Sequence, residues 1–332
     1  MKDITCRLRL AAMLAALLAP QLAHAQSAAA GSAQYPSRPV RLIVPFAAGG
    51  PVDAVGRLVA PRLSEAWGQQ VVIDNRAGAN SIVGSELAAR AAPDGYTLVL
   101  VSAGFAINVS LYPKLPYDAA RDFTPITTLA FGPGILVTHP SLPARNLKEL
   151  IALARAKPNT LTYGSSGPGA PTSHLGMELL KVTAGVSMIH VPYKSMAPAL
   201  TDVLGGQVHM AMPTINVTVQ HLRTGRLRAI GVSSLQRSPA APDVPPLAEV
   251  GMPGYEANNW TLVMGPAGVP AAISEKIHAD SAKVLLIQDV RDRFTAAGMD
   301  VRSIPYNEVS NHVRSEIAKW AKVVKASGAK PE

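Results

Sequence analysis

The chain has 332 residues, with 31 Lys and Arg against 22 Asp and Glu for a formal charge of +9, and is 48% hydrophobic but only 5% aromatic. That much apolar surface excludes disorder for the bulk of the chain, and 28 Pro and 26 Gly spread without a period exclude collagen-like and low-complexity classes. Length suggests about two domains, and basic residues standing singly (Arg57, Arg62, Arg76, Arg90, Lys114, Arg121) argue against a nucleic-acid partner.

At the N-terminus, Lys2, Arg7 and Arg9 precede an apolar stretch from Leu10 to Leu22, and Ala23-His24-Ala25 supplies a small-x-small pattern. This predicts a secretory signal peptide over residues 1–25, cleaved after Ala25, since the run is too short to span a bilayer stably. The expected product is an exported, periplasmic protein of 307 residues with a formal charge of +7 (28 basic, 21 acidic). The single cysteine, Cys6, leaves with the leader, which removes thiol nucleophiles, thiol redox chemistry and thiolate zinc sites from consideration.

Beyond a polar stretch, Val40–Val44 is a β-branched strand ending in Pro45-Phe46 and the turn Ala47-Ala48-Gly49-Gly50. Val55, Leu58, Val59 and Leu63 then recur at helical spacing. Val71–Ile73 is a second strand, Arg76–Ala79 a turn, Ile82 to Ala91 a helix, and Thr97–Val101 a third strand. Strand, turn and helix in repetition predict an α/β fold with a mostly parallel sheet. The same order restarts at Ile135–Val137. There Asn146 and Glu149 form a capping box, Leu161–Tyr163 leads into Gly164-Ser165-Ser166-Gly167-Pro168-Gly169, and a helix carries Leu175, Leu179 and Leu180. Strands follow at Met188–Val191, Val208–Met212 and Leu227–Val232, with a helix through Leu200 and Leu204. A Pro-dense segment (Pro239–Pro253) precedes a strand at Thr261–Met264 and a helix stepping through Val309, Val313, Ile317, Trp320 and Val324. Two α/β lobes are expected, the first discontinuous (26–128 and 257–332) and the second over 129–256, with hinge strands near Thr127–Val137 and Asn258–Met264.

Each half carries a Gly-rich loop between a strand and a helix start. Such a junction gathers unpaired backbone N–H groups at a positive helix end, which suits a carboxylate, sulfate or phosphate; a tight turn that binds nothing fits the loops equally well. Neither loop contains Lys or Arg. Asp53, at the first helix start, is expected to cap the helix or, alternatively, to orient the loop. Enzyme motifs fail: Pro168 occupies the last glycine position of a G-x-S-x-G elbow, there is no P-loop, and the histidines lack metal-ligand spacing. An exported serine hydrolase with Ser166 as nucleophile and His174 as base remains the alternative from another class. Trp67, Trp260 and Trp320 are expected to pack in the core.

The motif order resembles a known family. Tyr35-Pro36-Ser37-Arg38-Pro39 into Val44-Pro45-Phe46-Ala47-Ala48-Gly49-Gly50-Pro51-Val52-Asp53 is similar to the mature start of tripartite tricarboxylate transporter substrate-binding proteins, the Bug family. So are Asn75-Arg76-Ala77-Gly78-Ala79, Ala92-Pro93-Asp94-Gly95-Tyr96, Leu111-Tyr112-Pro113-Lys114, His190-Val191-Pro192-Tyr193-Lys194 and Leu204-Gly205-Gly206-Gln207. The resemblance covers nearly the whole mature chain. It implies a two-lobed Venus-flytrap receptor of the periplasmic-binding-protein type, closing over a small carboxylate without catalysis, cofactor or metal, and delivering it to a membrane permease or a sensor. A monomer is expected. Carried onto matching positions, it nominates Phe46, Ala48, Gly49, Gly50 and Asp53 in the first lobe, and Ser165, Ser166, Thr172, Tyr193, Lys194 and Ser195 in the second. Members often carry an acidic or amide residue where Pro213 stands, so plain carboxylates are expected to be preferred over amino acids.

Overall fold

A computed structural model describes residues 35–331; the expected leader and its cleavage point lie outside the described residues. In chain order the strands are β1 (Val40–Val44), β2 (Val71–Asn75), β3 (Thr97–Ser102), β4 (Phe123–Gly132), β5 (Ile135–Thr138), β6 (Thr162–Ser165), β7 (Ile189–Pro192), β8 (Met210–Ala211), β9 (Arg228–Val232), β10 (Asn259–Pro266) and β11 (Asp300–Val301). They form a six-stranded sheet in the order β11-β4-β10-β3-β1-β2 and a five-stranded sheet in the order β7-β6-β8-β5-β9.

The sheets are mixed rather than mostly parallel. β1 pairs parallel with β2 and β3, as repeated strand-helix units require, but β10 runs antiparallel between β3 and β4. In the second sheet β6 is parallel to β7 and β8, while β5 is antiparallel to β8 and β9. The cause is the path of the chain. It leaves the first sheet at the end of β4, enters the second at β5 two residues later, and returns after β9 to lay β10 beside β4 over their whole length.

Helices α1 (Pro51–Trp67), α2 (Ile82–Ala89) and α3 (Ala103–Leu111) follow β1, β2 and β3. The second sheet carries α4 (Leu147–Ala156), α5 (Met177–Ala184) entered through a π-helical turn at Pro171–Gly176, α6 (Met196–Leu204) and α7 (Ile215–Arg223). α8 (Ala271–Leu285), α9 (Gln288–Ala296) and α10 (Tyr306–Ser327) complete the chain. Asn146 caps α4 as expected, accepting from Glu149 N–H at 2.9 Å, while Glu149 reaches back to Arg145 N–H at 2.8 Å. Gly68 and Gly328 close α1 and α10 in the left-handed conformation.

α3, α7, α8 and α9 are not among the helices located above from sequence periodicity. Ala103–Leu111 is apolar on every face because α3 is buried nearly throughout, so no polar stripe marks it as a helix. The largest apolar cluster runs from α3 (Phe105, Ile107, Leu111) to β5 (Leu136), the π-helical turn (Leu175) and α5 (Leu180), and to α10 (Val309, Trp320). Trp260 and Trp320 are fully buried, and both donate their indole N–H to Glu316 Oε2 at 2.9 Å. Trp67 is half-buried at the edge of the first-lobe core and donates to Asp280 at 3.0 Å.

Candidate functional site

Between the two sheets lies a cavity of about 670 Å³. Four helical starts open onto it: Gly50-Pro51-Val52 of α1, Asn80 just ahead of α2, Ser102 and Gly104 of α3, and Ala170-Pro171 of the π-helical turn. First-turn amides have no carbonyl partner within their own helix and carry the positive end of its dipole, so four such ends favour an anion in the space between them. Among the described residues no Lys, Arg, His, Asp or Glu lines the cavity. The polar part of the wall consists of main-chain groups, the Ser102 and Ser166 hydroxyls and the amides of Asn80 and Asn259. The remaining wall is mostly apolar, with Phe46, Leu111, Pro168, Pro331 and Tyr112, whose phenol is its one further polar group among the described side chains.

The first loop is set from behind by a buried carboxylate. Asp53 does not stand at the N-cap of α1; Gly50 does, with Pro51 at the first helical position, which makes Asp53 the third residue of the helix. Its Oδ2 accepts from Gly49 N–H (2.8 Å) and Arg57 Nε (2.7 Å), and its Oδ1 from Asn75 Nδ2 (2.9 Å). Asn75, at the end of β2, also donates to Phe46 O at 3.1 Å, so the ends of two adjacent strands hold one loop. Burial alone would raise the Asp53 pKa; the hydrogen bonds from Arg57, Gly49 and Asn75 outweigh it and bring the carboxyl to about 2. Asp53 thus orients the loop.

The second loop is tied to the helix it precedes. Ser166 N–H donates to Ser173 Oγ at 3.2 Å, with the two hydroxyls 3.0 Å apart, and Gly169 N–H donates to His174 Nδ1 at 3.0 Å. The Ser166–His174 pairing that a hydrolase would need is replaced by these bonds: the Ser166 hydroxyl pairs with Ser173, and His174 Nδ1 with a main-chain amide. Ser165 is buried behind the loop, 2.6 Å from His190 Nε2.

Of the nominated residues, Phe46, Gly50 and Ser166 line the cavity. Ala48 and Gly49 sit in the exposed loop at its margin, and Asp53 and Ser165 lie in the layer beneath. Thr172 is buried with its methyl group against Gly134, where any side chain would collide with it. Tyr193 turns away and donates its hydroxyl to Asp202, while Lys194 and Ser195 are exposed ahead of α6; none of the three is on the cavity wall. Pro213 is buried, with its carbonyl accepting from Ile135 N–H, and also lies off the wall. Any discrimination against amino acids therefore rests on the absence of an acidic side chain from the lining, not on Pro213.

Sequence reasoning passed over Asn80, Ser102, Gly104, Asn259 and Pro331. Asn80 had a signal: Ala79-Asn80-Ser81 follows the expected turn at Arg76–Ala79. All three have positive φ (44°, 49° and 74°), a costly conformation for residues with side chains and one found at ligand-facing turns. The turn is held by Asn108 of α3, whose amide exchanges 2.8 Å hydrogen bonds with Asn80. Among the described residues no group of three or more His, Cys, Asp or Glu is placed to hold a metal ion, and no helix is long and apolar enough to cross a membrane.

Comparison with known proteins places this geometry in a family. The model of the tripartite tricarboxylate transporter family receptor matches residues 55–329. A protein of R. palustris solved with adipate is 36% identical, with a TM-score of 0.71, covering 90% of this chain and 100% of that one. The periplasmic binding protein BugD is 33% identical, with a TM-score of 0.68 over 90% and 100% of the two chains. MatC from Rhodopseudomonas palustris, solved with bound malate, is 33% identical, with a TM-score of 0.67 over 87% and 100%.

Proposed function

The chain belongs to the tripartite tricarboxylate transporter receptor family, and on that premise we propose that it captures a small carboxylate in the cleft between its sheets and delivers it to a membrane permease. The observation that carries this reading is the convergence of four helical starts on a cavity with no charged side chain among the described residues. An anion held there is bound by amides and hydroxyls, each such hydrogen bond contributing about 1.5–3 kcal/mol. Relatives solved with adipate and with malate support the carboxylate class. In this proposal residues 26–128 and 257–332 form one lobe and 129–256 the other, and the lobes close about the paired crossings at β4–β5 and β10. In the same reading the chain is exported to the periplasm with cleavage after Ala25, and a monomer suits a receptor that must dock and release. A sensor in place of a permease would use the same closed form.

A thermal-shift screen of residues 26–332 tests the reading. Adipate, malate, citrate, benzoate, aspartate and glutamate form the panel, with sulfate and phosphate as controls. A ligand at a hundred times its dissociation constant adds about 2.7 kcal/mol of stability, a clear shift. At least one carboxylate is expected to stabilise the protein, and aspartate and glutamate to do so less than malate, since no acidic side chain lines the cavity to meet an ammonium group. Stabilisation by none of the organic acids would refute the proposal.

A further inference from the structure

Three aromatic rings are stacked behind the second loop. Tyr163 lies along His190 (centroids 5.0 Å apart, planes at 17°), and His190 along His174 (4.1 Å, 18°). Each imidazole also holds the loop: His174 Nδ1 accepts from Gly169 N–H at 3.0 Å, and His190 Nε2 lies 2.6 Å from Ser165 Oγ. Gly169 lines the cavity, so the bond from His174 is one step removed from whatever the cavity holds.

A ring nitrogen that accepts from an amide carries no proton, so this loop geometry requires a neutral His174 with its hydrogen on Nε2. The surroundings enforce neutrality. Burial is the main influence lowering the His174 pKa to about 4, with His190 adding to it and Glu178 opposing. Burial also depresses His190. Glu178 of α5 is already engaged by the Tyr163 hydroxyl and by Lys181 Nζ, the latter at 2.6 Å. α3 and α10 also pack on the π-helical turn but add no charged group to those acting on His174. Two imidazolium rings 4.1 Å apart would repel each other directly.

We propose that His174 and His190 are positioning residues, a neutral imidazole pair that sets the Ser165–Ala170 loop for the ligand, so that a proton taken up by His174 releases the loop and weakens capture. The inference rests on the cleft being the ligand site. Weakening sets in on the acid side. It reaches about fourfold half a pH unit below the titration point of His174, and about tenfold for each further unit.

Two measurements keep this device separate from the ligand reading. The first needs no ligand: nitrogen NMR of the free protein should find His174 in the Nε2–H tautomer at pH 7, with the Gly169 amide resonance moving as His174 titrates. In His174→Asn, whose amide oxygen still accepts from Gly169 but does not titrate, that movement should vanish. A charged His174 at pH 7, or a Gly169 resonance indifferent to its titration, overturns the proposal whether or not any acid binds. The second is calorimetric titration with adipate at pH 7 and pH 3.5 for wild type and His174→Asn, where the ligand's own protonation is common to both and cancels. Wild type should lose about four times more affinity than the variant, and equal losses overturn the proposal. Coupled resonances with no binding of adipate would refute the use of the loop in capturing that acid while sustaining the loop coupling.

Discussion

Asp53 has a buried side chain and answers to three donors, two of which belong to the loop-setting layer rather than to its own helix. Asp53→Asn removes the charge that makes these bonds strong, each worth about 1.5–3 kcal/mol. It should lower stability by an amount of that order and weaken ligand binding about tenfold or more, as read by denaturant melts and calorimetry. The pH dependence has a definite sign. The folded pKa of about 2 lies below the ordinary 3.8, so the stabilisation is complete above about pH 4 and lost as pH falls through 2. The stability gap between wild type and Asp53→Asn should therefore narrow over that interval. The glycines beside it divide into two kinds. Gly49 has φ +83°, where a side chain is strained, whereas Gly50 has an ordinary extended backbone (φ −74°) and opens onto the cavity. A Cβ on Gly50 would stand 3.3 Å from the Ala47 carbonyl, so Gly50→Val should lower the melting temperature as the turn gives way and reduce affinity more than about tenfold; a folded variant with unchanged affinity would remove the first loop from the site. The Gly-Gly turn was legible from the strand before it and the helix after it. The place of Asp53 in the helix was not, although Pro51 at the first helical position was the signal for it.

At the scale of elements, α2 illustrates how closely secondary structure is fitted to the loop at the cavity. A Cβ on Gly84 would stand 2.6 Å from the Pro45 Cβ and 2.9 Å from the Arg76 carbonyl, so α2 lies flush on the strand end that feeds the first loop. Gly84→Ala should force α2 outward, at a cost of about 1–3 kcal/mol in denaturant melts, with a larger fractional loss of affinity than an exposed Ala substitution such as Lys148→Ala. α3 is the instructive failure of pattern reading. Its Ala-Gly-Phe-Ala-Ile-Asn-Val-Ser-Leu sequence continues the apolar run of β3, and a helix buried on every side offers no alternation to detect. Ser102, where β3 gives way to α3, is the marker that survives in the sequence. The amphipathic elements, α1, α4 and α10, were legible because each has one face against the core and one against water. The mixed direction of the strands was not, because it depends on where the chain recrosses, and β4 and β10 pair across more than a hundred residues.

For the whole molecule, the two sheets share one apolar cluster through α3 and α10, and the second crossing is fastened where Trp260 meets Glu316 and where Lys319 Nζ donates to Glu256 O at 3.1 Å. With no charged side chain among the described residues of the cavity wall, screening has little to act on at the site. Raising salt from about 0.05 M to 0.5 M should change carboxylate affinity by less than about threefold, a figure that calorimetry can check; a tenfold fall would locate a cationic side chain at the ligand. The same wall has an evolutionary meaning. Amide donors belong to the backbone and persist through almost any replacement of side chains, so the capacity to hold an acid group is inherited with the fold itself. What a lineage can alter at little cost is the remainder of the wall, Phe46, Leu111, Tyr112, Pro168 and Pro331. A gene copy that changed a few of these would keep its grip on the acid while acquiring a new diet, and a genome could hold many such receptors, each descended from the last by substitution at a handful of positions.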